Sequence, residues 1–163
     1  MSKKAILFIV MSLAAAGVRA GGPSSFDVVM EDYEPIRNAL INDSMDGVNS
    51  HGKAIADELR ALGSDFSPVR AGATGEAADV VREKLPEMIS AADAIAAATS
   101  LEAARDGLYE LSQPLVRWRE GVAESGRPAV AYCPMHKRSW LQPGEEIGNP
   151  YGGMPRCGSI VSK

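Results

Sequence analysis

The sequence predicts a mainly α protein: an antiparallel four-helix bundle with a short C-terminal loop and β-hairpin appendage. Three observations carry this expectation. Four stretches between Val29 and Val122 place apolar residues three and four apart, the spacing of one helix face. The links between them are short, which favours antiparallel neighbours. After Gly126 that periodicity stops, and Gly, Pro, Cys, Met and aromatic residues take over.

The first helix is expected around Val29, Tyr33, Ile36 and Leu40. Pro35 lies inside it, where a proline removes a backbone donor and either kinks the helix or restarts it. Asn42, Asp43 and Ser44 punctuate the chain. Asp43 and Asp46 are oxygen donors, but the twelve-residue calcium-loop pattern is absent. The second helix carries Val48, Ile55, Leu59 and Leu62 on one stripe, with His51 in the slot between Val48 and Ile55. Gly63 is expected to end it as a left-handed cap. A Gly/Ala/Ser/Pro-rich link follows, from Ser64 to Gly75.

The third helix uses Val81, Leu85, Met88, Ala92 and Ile95, again with a proline inside, Pro86. The fourth runs through Leu101, Ala104, Leu108, Leu111, Leu115, Trp118 and Val122, with Pro114 near its end. Thr99 and Glu102 fit a capping box at its start. Beyond Gly126, Ala129–Tyr132 reads as a short strand, and Ile160 and Val161 as a second one near the end of the chain. No repeat or low-complexity block occurs.

The N-terminus has a separate meaning. Lys3 and Lys4 precede an apolar run from Ala5 to Ala16, and Val18-Arg19-Ala20 places small residues before a cut. This is the build of a secretory signal peptide, and the run is short for a membrane span, which needs about 20 residues. The expected division is residues 1–20 as signal peptide, 21–126 as helical bundle and 127–163 as an appendage in one domain with the bundle. The location expected is the periplasm, with a mature chain that is not membrane-embedded.

The whole chain has 17 basic and 21 acidic residues. Without residues 1–20 it has 14 basic and 21 acidic, a net charge of −7. That balance argues against nucleic acid as partner, which rewards basic patches.

Both cysteines lie in the appendage, in Tyr132-Cys133-Pro134-Met135-His136 and Met154-Pro155-Arg156-Cys157-Gly158. Each has a methionine two or three residues away. In an extended segment Cys133 and Met135 would share a face, and Met154 and Cys157 could converge across a turn. Thiolate and thioether are soft donors that favour Cu(I), and Ag(I) by the same logic. Zinc prefers thiolate and imidazole. The residues leave a second reading equally open: two cysteines in an exported protein form a disulfide, and Met135 and Met154 then merely pack. Of the two histidines, His51 occupies an inward helix slot and could add a nitrogen ligand if the appendage covers that helix. His136 follows Met135 and reads as solvated.

Motifs for catalysis are missing. There is no C-x-x-C, no C-x-x-C-H, no G-x-S-x-G, no P-loop and no dinucleotide fingerprint. No enzymatic role is expected.

The ordered set Tyr132-Cys133-Pro134-Met135, Trp140, Glu146-Ile147, Asn149-Pro150-Tyr151-Gly152, Met154 and Cys157-Gly158 resembles one family. It is a periplasmic domain of unknown function, found as secreted proteins and attached to the membrane-fusion (adaptor) subunits of copper and silver efflux pumps. Tyr33 with Ala39-Leu40, and Ser100–Arg105 with Leu108 and Leu111-Ser112, are similar to its first and last helices. The approach Gly152-Gly153-Met154 is a residue or two shorter than the family pattern. The resemblance implies a four-helix bundle with a metal-binding appendage, and a heavy-metal carrier, buffer or efflux accessory. It implies Cu(I) as the ion held and an efflux adaptor as partner. The ligand set it implies is Cys133, Met135, Met154 and Cys157, with His51 from the helix. The Asn149–Gly152 turn would position Met154 and Cys157.

Overall fold

The computed structural model describes residues 22–163. The expected signal peptide, residues 1–20, lies outside the described residues. Those described form five helices and then a small three-stranded antiparallel sheet. The helices are α1 (Ser25–Ile41), α2 (Val48–Ser64), α3 (Pro68–Ala71), α4 (Glu76–Ala96) and α5 (Leu101–Arg119). The strands are β1 (Ala129–Cys133), β2 (Arg138–Gln142) and β3 (Ser159–Ser162), in the order β2-β1-β3. Among the described residues no helix is long and apolar enough to cross a membrane.

The four long helices follow their apolar stripes. Val29, Tyr33, Ile36, Leu40, Val48, Ile55, Leu59, Leu62, Val81, Met88, Ala92, Ile95, Ala104, Leu108, Leu111, Leu115 and Trp118 are all within 1% of full burial. Phe26 joins them, with its ring edge-on to Trp118. α1 packs on α2, α2 on α4, α4 on α5, and α5 on α1. Two glycines permit the closest of these approaches. A Cβ on Gly52 would lie 2.7 Å from Ile95 Cγ2, and one on Gly107 2.8 Å from Ile95 Cγ1. α2 and α5 therefore close on α4 from both sides of one isoleucine.

Pro35, Pro86 and Pro114 break nothing: each helix runs through its proline as one element. A proline at position i leaves the carbonyl of residue i−4 without its donor. Those residues are Glu31, Arg82 and Glu110, all exposed, so water reaches the freed carbonyls.

The helix ends differ from expectation at both ends of α5, which stops at Arg119 short of Val122, and at the end of α2. The α5 cap is Ser100, one residue later than Thr99: it is the last extended residue, and its Oγ accepts from Ala103 N at 3.2 Å. The third helical residue is then Ala103, so the expected Thr99–Glu102 box does not form. The box occurs instead at α1. There Ser24 Oγ accepts from Asp27 N, and Asp27 Oδ2 accepts from Ser24 N. At α2 Gly63 stays helical, and the helix ends after Ser64, with Asp65 as its cap. The link beyond holds the one-turn helix α3. Ser67 caps it, Pro68 fills the first turn, and Gly72 ends it at φ 69°. Ala71 O accepts from the buried Trp118 Nε1 at 3.1 Å, which pins this link to α5.

In the sheet, β1 pairs with β2 from Ala129↔Gln142 to Cys133↔Arg138, and with β3 through Tyr132↔Ser159 and Ala131↔Ile160. β2 lies against α5. Strand alternation divides the side chains. Val130 and Leu141 enter the helical core. Ala131, Cys133 and Trp140 face away into a second cluster closed by Tyr151.

A chain of buried hydrogen bonds joins sheet and helices. Leu141 N donates to Tyr33 Oη at 3.3 Å. Ser112 Oγ donates to Leu108 O at 2.6 Å, so the Tyr33 hydroxyl donates to Ser112 Oγ at 2.7 Å. One phenol thus links β2, α1 and α5. Burial, the largest cause, pushes the Tyr33 hydroxyl up from 10.0 to about 12.

Two effects should follow. Tyr33→Phe strands the Leu141 donor and one Ser112 lone pair, and should cost about 1–3 kcal/mol in a denaturant titration at neutral pH. The raised native value also means that the unfolded chain ionises first. Stability should be full below pH 10 and fall as pH climbs from 10 towards 12, by roughly 3 kcal/mol from this group. Tyr33→Phe should flatten that alkaline limb, and an unchanged limb would remove the assignment.

Candidate metal centre

β1 is the central strand, and its last residue is Cys133, fully buried. Cys157 precedes Gly158 at the entrance to β3. Antiparallel pairing of β3 with β1 brings the two cysteines to a Cα–Cα distance of 5.6 Å, and they form a disulfide. Among the described residues there is no free cysteine. Gly158, at φ 141°, permits this approach: a Cβ there would lie 2.7 Å from Trp140 Cη2 and 3.0 Å from Tyr132 O.

Pro134–Lys137 form the turn between β1 and β2, closed by Lys137 at φ 55°. Met135 sits on this turn with 70% of its surface exposed. Strand alternation ends at Pro134, so it does not place Met135 beside Cys133 as the extended-segment expectation had it. Met154 lies on the long connection between β2 and β3 and is 39% exposed.

That connection is held by polar contacts in place of regular structure. Gln142, fully buried, accepts from Trp140 Nε1 at 2.9 Å and donates to Glu146 O at 2.9 Å. Asn149, also buried, accepts from Tyr151 N through Oδ1 and donates to Met154 O through Nδ2. Its own N donates to Pro155 O at 2.8 Å. Two arginines from the helices clamp the other side. Arg37 donates to Gly148 O at 2.9 Å, and Arg105 to Pro150 O and Leu40 O, each at 2.9 Å. Arg105 also pairs with Asp43, which gives that carboxylate a structural partner.

Aromatic packing completes the surroundings. Tyr151 meets Trp140 and Tyr109 edge-on, at 6.0 and 6.3 Å between centroids. Its hydroxyl donates to Ser139 O at 2.7 Å, and burial holds its pKa well above the ordinary value. The Arg138 guanidinium lies over both tyrosine rings, 4.8 Å from Tyr109 and 5.3 Å from Tyr151, and pairs with Asp106.

The two histidines fall in different places. His51 is 35% exposed on α2, with Nδ1 2.8 Å from Asp32 Oδ1 of α1. Its partner belongs to the helices, and the sheet lies on α5. His136 is half-buried, with Nε2 3.1 Å from Gly152 O and its ring 6.4 Å from that of Tyr151. The expectation of a solvated His136 assumed an extended strand at 135–136. The turn starting at Pro134 reverses the chain and carries the ring to the second turn.

The structure therefore unites Cys133 and Cys157, ties Met154 and His136 to the same segment, leaves Met135 on the adjacent turn in solvent, and keeps His51 with α1. Among the described residues no three His, Cys, Asp or Glu side chains gather at one point. Metal binding requires deprotonated thiols, so the disulfide form has only thioethers and imidazole to offer. Two electrons and two protons from an external dithiol, itself oxidised to its disulfide, would convert it into two thiols, and the donor set would then suit a soft monovalent ion. No protein-family model, no curated protein and no solved structure matches the chain.

The disulfide closes a loop with a sequence separation of 24, for which loop-closure entropy is worth about 3 kcal/mol. Reduction should lower stability by about that amount while leaving the helical circular dichroism intact at 25 °C, because the main core does not include either cysteine. A loss of helix on reduction would show that the second cluster is needed for the first.

Proposed function

We propose that this chain is a periplasmic heavy-metal-binding protein that holds Cu(I), and Ag(I) by the same chemistry. It acts as a carrier, buffer or accessory of copper and silver efflux, with an efflux adaptor subunit as partner, and not as an enzyme. The observation that supports it best is the pairing of Cys133 with Cys157 between two turns that carry Met135 and Met154 at the surface. Four soft donors on one edge of a small sheet are unusual, since methionine is ordinarily core filler. A carrier has to release its ion, and thioethers on exposed turns allow exchange that a buried cage would slow. The resemblance of the Tyr132–Gly158 motif to the efflux-associated family and the signal-like residues 1–20 support the location and the role.

In this reading the four long helices form an antiparallel four-helix bundle. The closed packing order α1-α2-α4-α5 supports that description.

A second reading is favoured by the disulfide itself. A cysteine with no exposed surface, bonded to its partner, is also what a structural staple looks like. The chain would then be a metal-free interaction module of the cell envelope.

Anaerobic competition of the reduced protein, residues 21–163, against a Cu(I) chelator separates the two. The expected result is one-to-one binding, lost in Cys133→Ser and Cys157→Ser and weakened at least about tenfold in Met154→Leu. Binding should be absent in the disulfide form. Failure of the reduced protein to compete would leave the staple reading.

A further inference from the structure

We infer that the Asp46–Gly47 bond is a site of spontaneous covalent modification, where the backbone of the folded protein rearranges through a cyclic succinimide to isoaspartate with water as the only other reactant.

The chain has two Asp-Gly pairs, Asp46-Gly47 and Asp106-Gly107. A glycine after an aspartate leaves the main-chain nitrogen open to the side-chain carboxyl, because no Cβ stands in the way. The fold treats the two pairs oppositely. Asp46 and Gly47 are exposed in the turn between α1 and α2, outside either helix. Val48 N donates to Met45 O at 3.2 Å across this turn. Gly47, its third residue, has φ 74° and ψ −12°, the glycine position of a type II turn. Asp46 N donates to Ser44 Oγ at 3.0 Å. Among the described residues the Asp46 carboxyl has no ion-pair partner, and Gly47 N donates to no carbonyl. Asp106-Gly107 lies inside α5. Asp106 is paired with Arg138 at 2.7 Å, and a Cβ on Gly107 would lie 2.8 Å from Ile95 Cγ1. Turning that peptide would break the helix and its contact with α4.

The reaction balances without an oxidant or a reductant. Gly47 N attacks Asp46 Cγ of the protonated carboxyl. The N–Cγ bond forms, the Cγ–OH bond breaks, and the Gly47 amide proton leaves with that hydroxyl as water. A water then adds to the main-chain carbonyl of the five-membered ring, and the C–N bond there opens. The chain now runs through the Asp46 β-carboxyl, and the α-carboxyl is free. To bring Gly47 N to Cγ the Asp46–Gly47 peptide plane has to turn. In this turn the rotation gives up one hydrogen bond, Val48 N to Met45 O, and a glycine tolerates the new φ.

Isoaspartate adds one backbone carbon immediately before the cap of α2. Gly47 is that cap, and Val48 beside it is fully buried. Gly47 also rests against His51: a Cβ there would lie 3.2 Å from His51 Cδ2. The first turn of α2, with the His51–Asp32 contact to α1, is therefore the part of the fold that the rearrangement displaces.

The test incubates folded protein, residues 21–163 with the disulfide intact, at neutral pH and maps its peptides over time. A peptide with isoaspartate keeps the parent mass but resists the endoproteinase that cleaves before aspartate. In the folded protein, conversion at position 46 should exceed conversion at position 106 at least about tenfold, because helix opening is needed only at the second. In urea the two should converge, since only the fold distinguishes them. Asp46→Asn should form the same succinimide with ammonia as leaving group and give isoaspartate faster. Asp46→Glu, whose ring would be six-membered, should give no rearranged peptide at this position. Equal conversion at 46 and 106 in the folded protein would overturn the proposal, and so would conversion at 46 that appears only in urea.

Discussion

The hydroxyl of Tyr33 is the contact on which the arrangement of sheet and helices depends. It has no exposed surface, and a buried hydroxyl or amide left without a partner costs about 1–3 kcal/mol. Here the Leu141 amide, the Tyr33 phenol, the Ser112 hydroxyl and the Leu108 carbonyl satisfy one another in sequence. The Leu141 amide belongs to β2, so the strand has one favourable position against α1 and α5. Val130 and Leu141 then enter the helical core, and alternation turns Ala131, Cys133 and Trp140 to the other side. The location of the cysteine pair is thus a consequence of where a tyrosine on the first helix finds its donor.

A small sheet cannot build a large core of its own. β3 is mostly exposed and pairs only with β1. What holds the irregular segment between β2 and β3 is the neutralisation of its backbone polar groups. Arg37 and Arg105 bring guanidinium donors from the helices, while Gln142 and Asn149 supply amides from within. Charged or buried donors to backbone carbonyls are the stronger hydrogen bonds, and they let a segment without secondary structure keep a definite shape. Tyr151 adds aromatic contact area between Trp140 and Tyr109.

This framework separates the disulfide from two exposed methionines. Cys133 is buried against Trp140 and Tyr151, and Met135 and Met154 stand at the surface on turns. The disulfide staples the entrance of β3 to the end of β1. The backbone approach it needs is made possible by the close contact of Gly158 with Trp140 and Tyr132.

The helical face residues were legible because periodicity is local: a stripe such as Val29, Tyr33, Ile36 and Leu40 is buried wherever the helix docks. The first and last strands in chain order, near Ala129 and Ile160, were legible from short apolar runs. β2 was not, because Trp140, Leu141 and Gln142 are all buried and show no alternation. α3 was not either, since one turn held by Ser67 and Gly72 carries no period. The chain order alone decided which faces of the four long helices enter the core and that every soft donor of the appendage lies within 25 positions of another. Only tertiary structure decided that Cys133 and Cys157 bond, that Tyr33 spans three elements, and that His136 instead of His51 shares a carbonyl with Met154. Those are pairings between residues far apart in the chain, made by strand register and turn direction, and no local pattern encodes them.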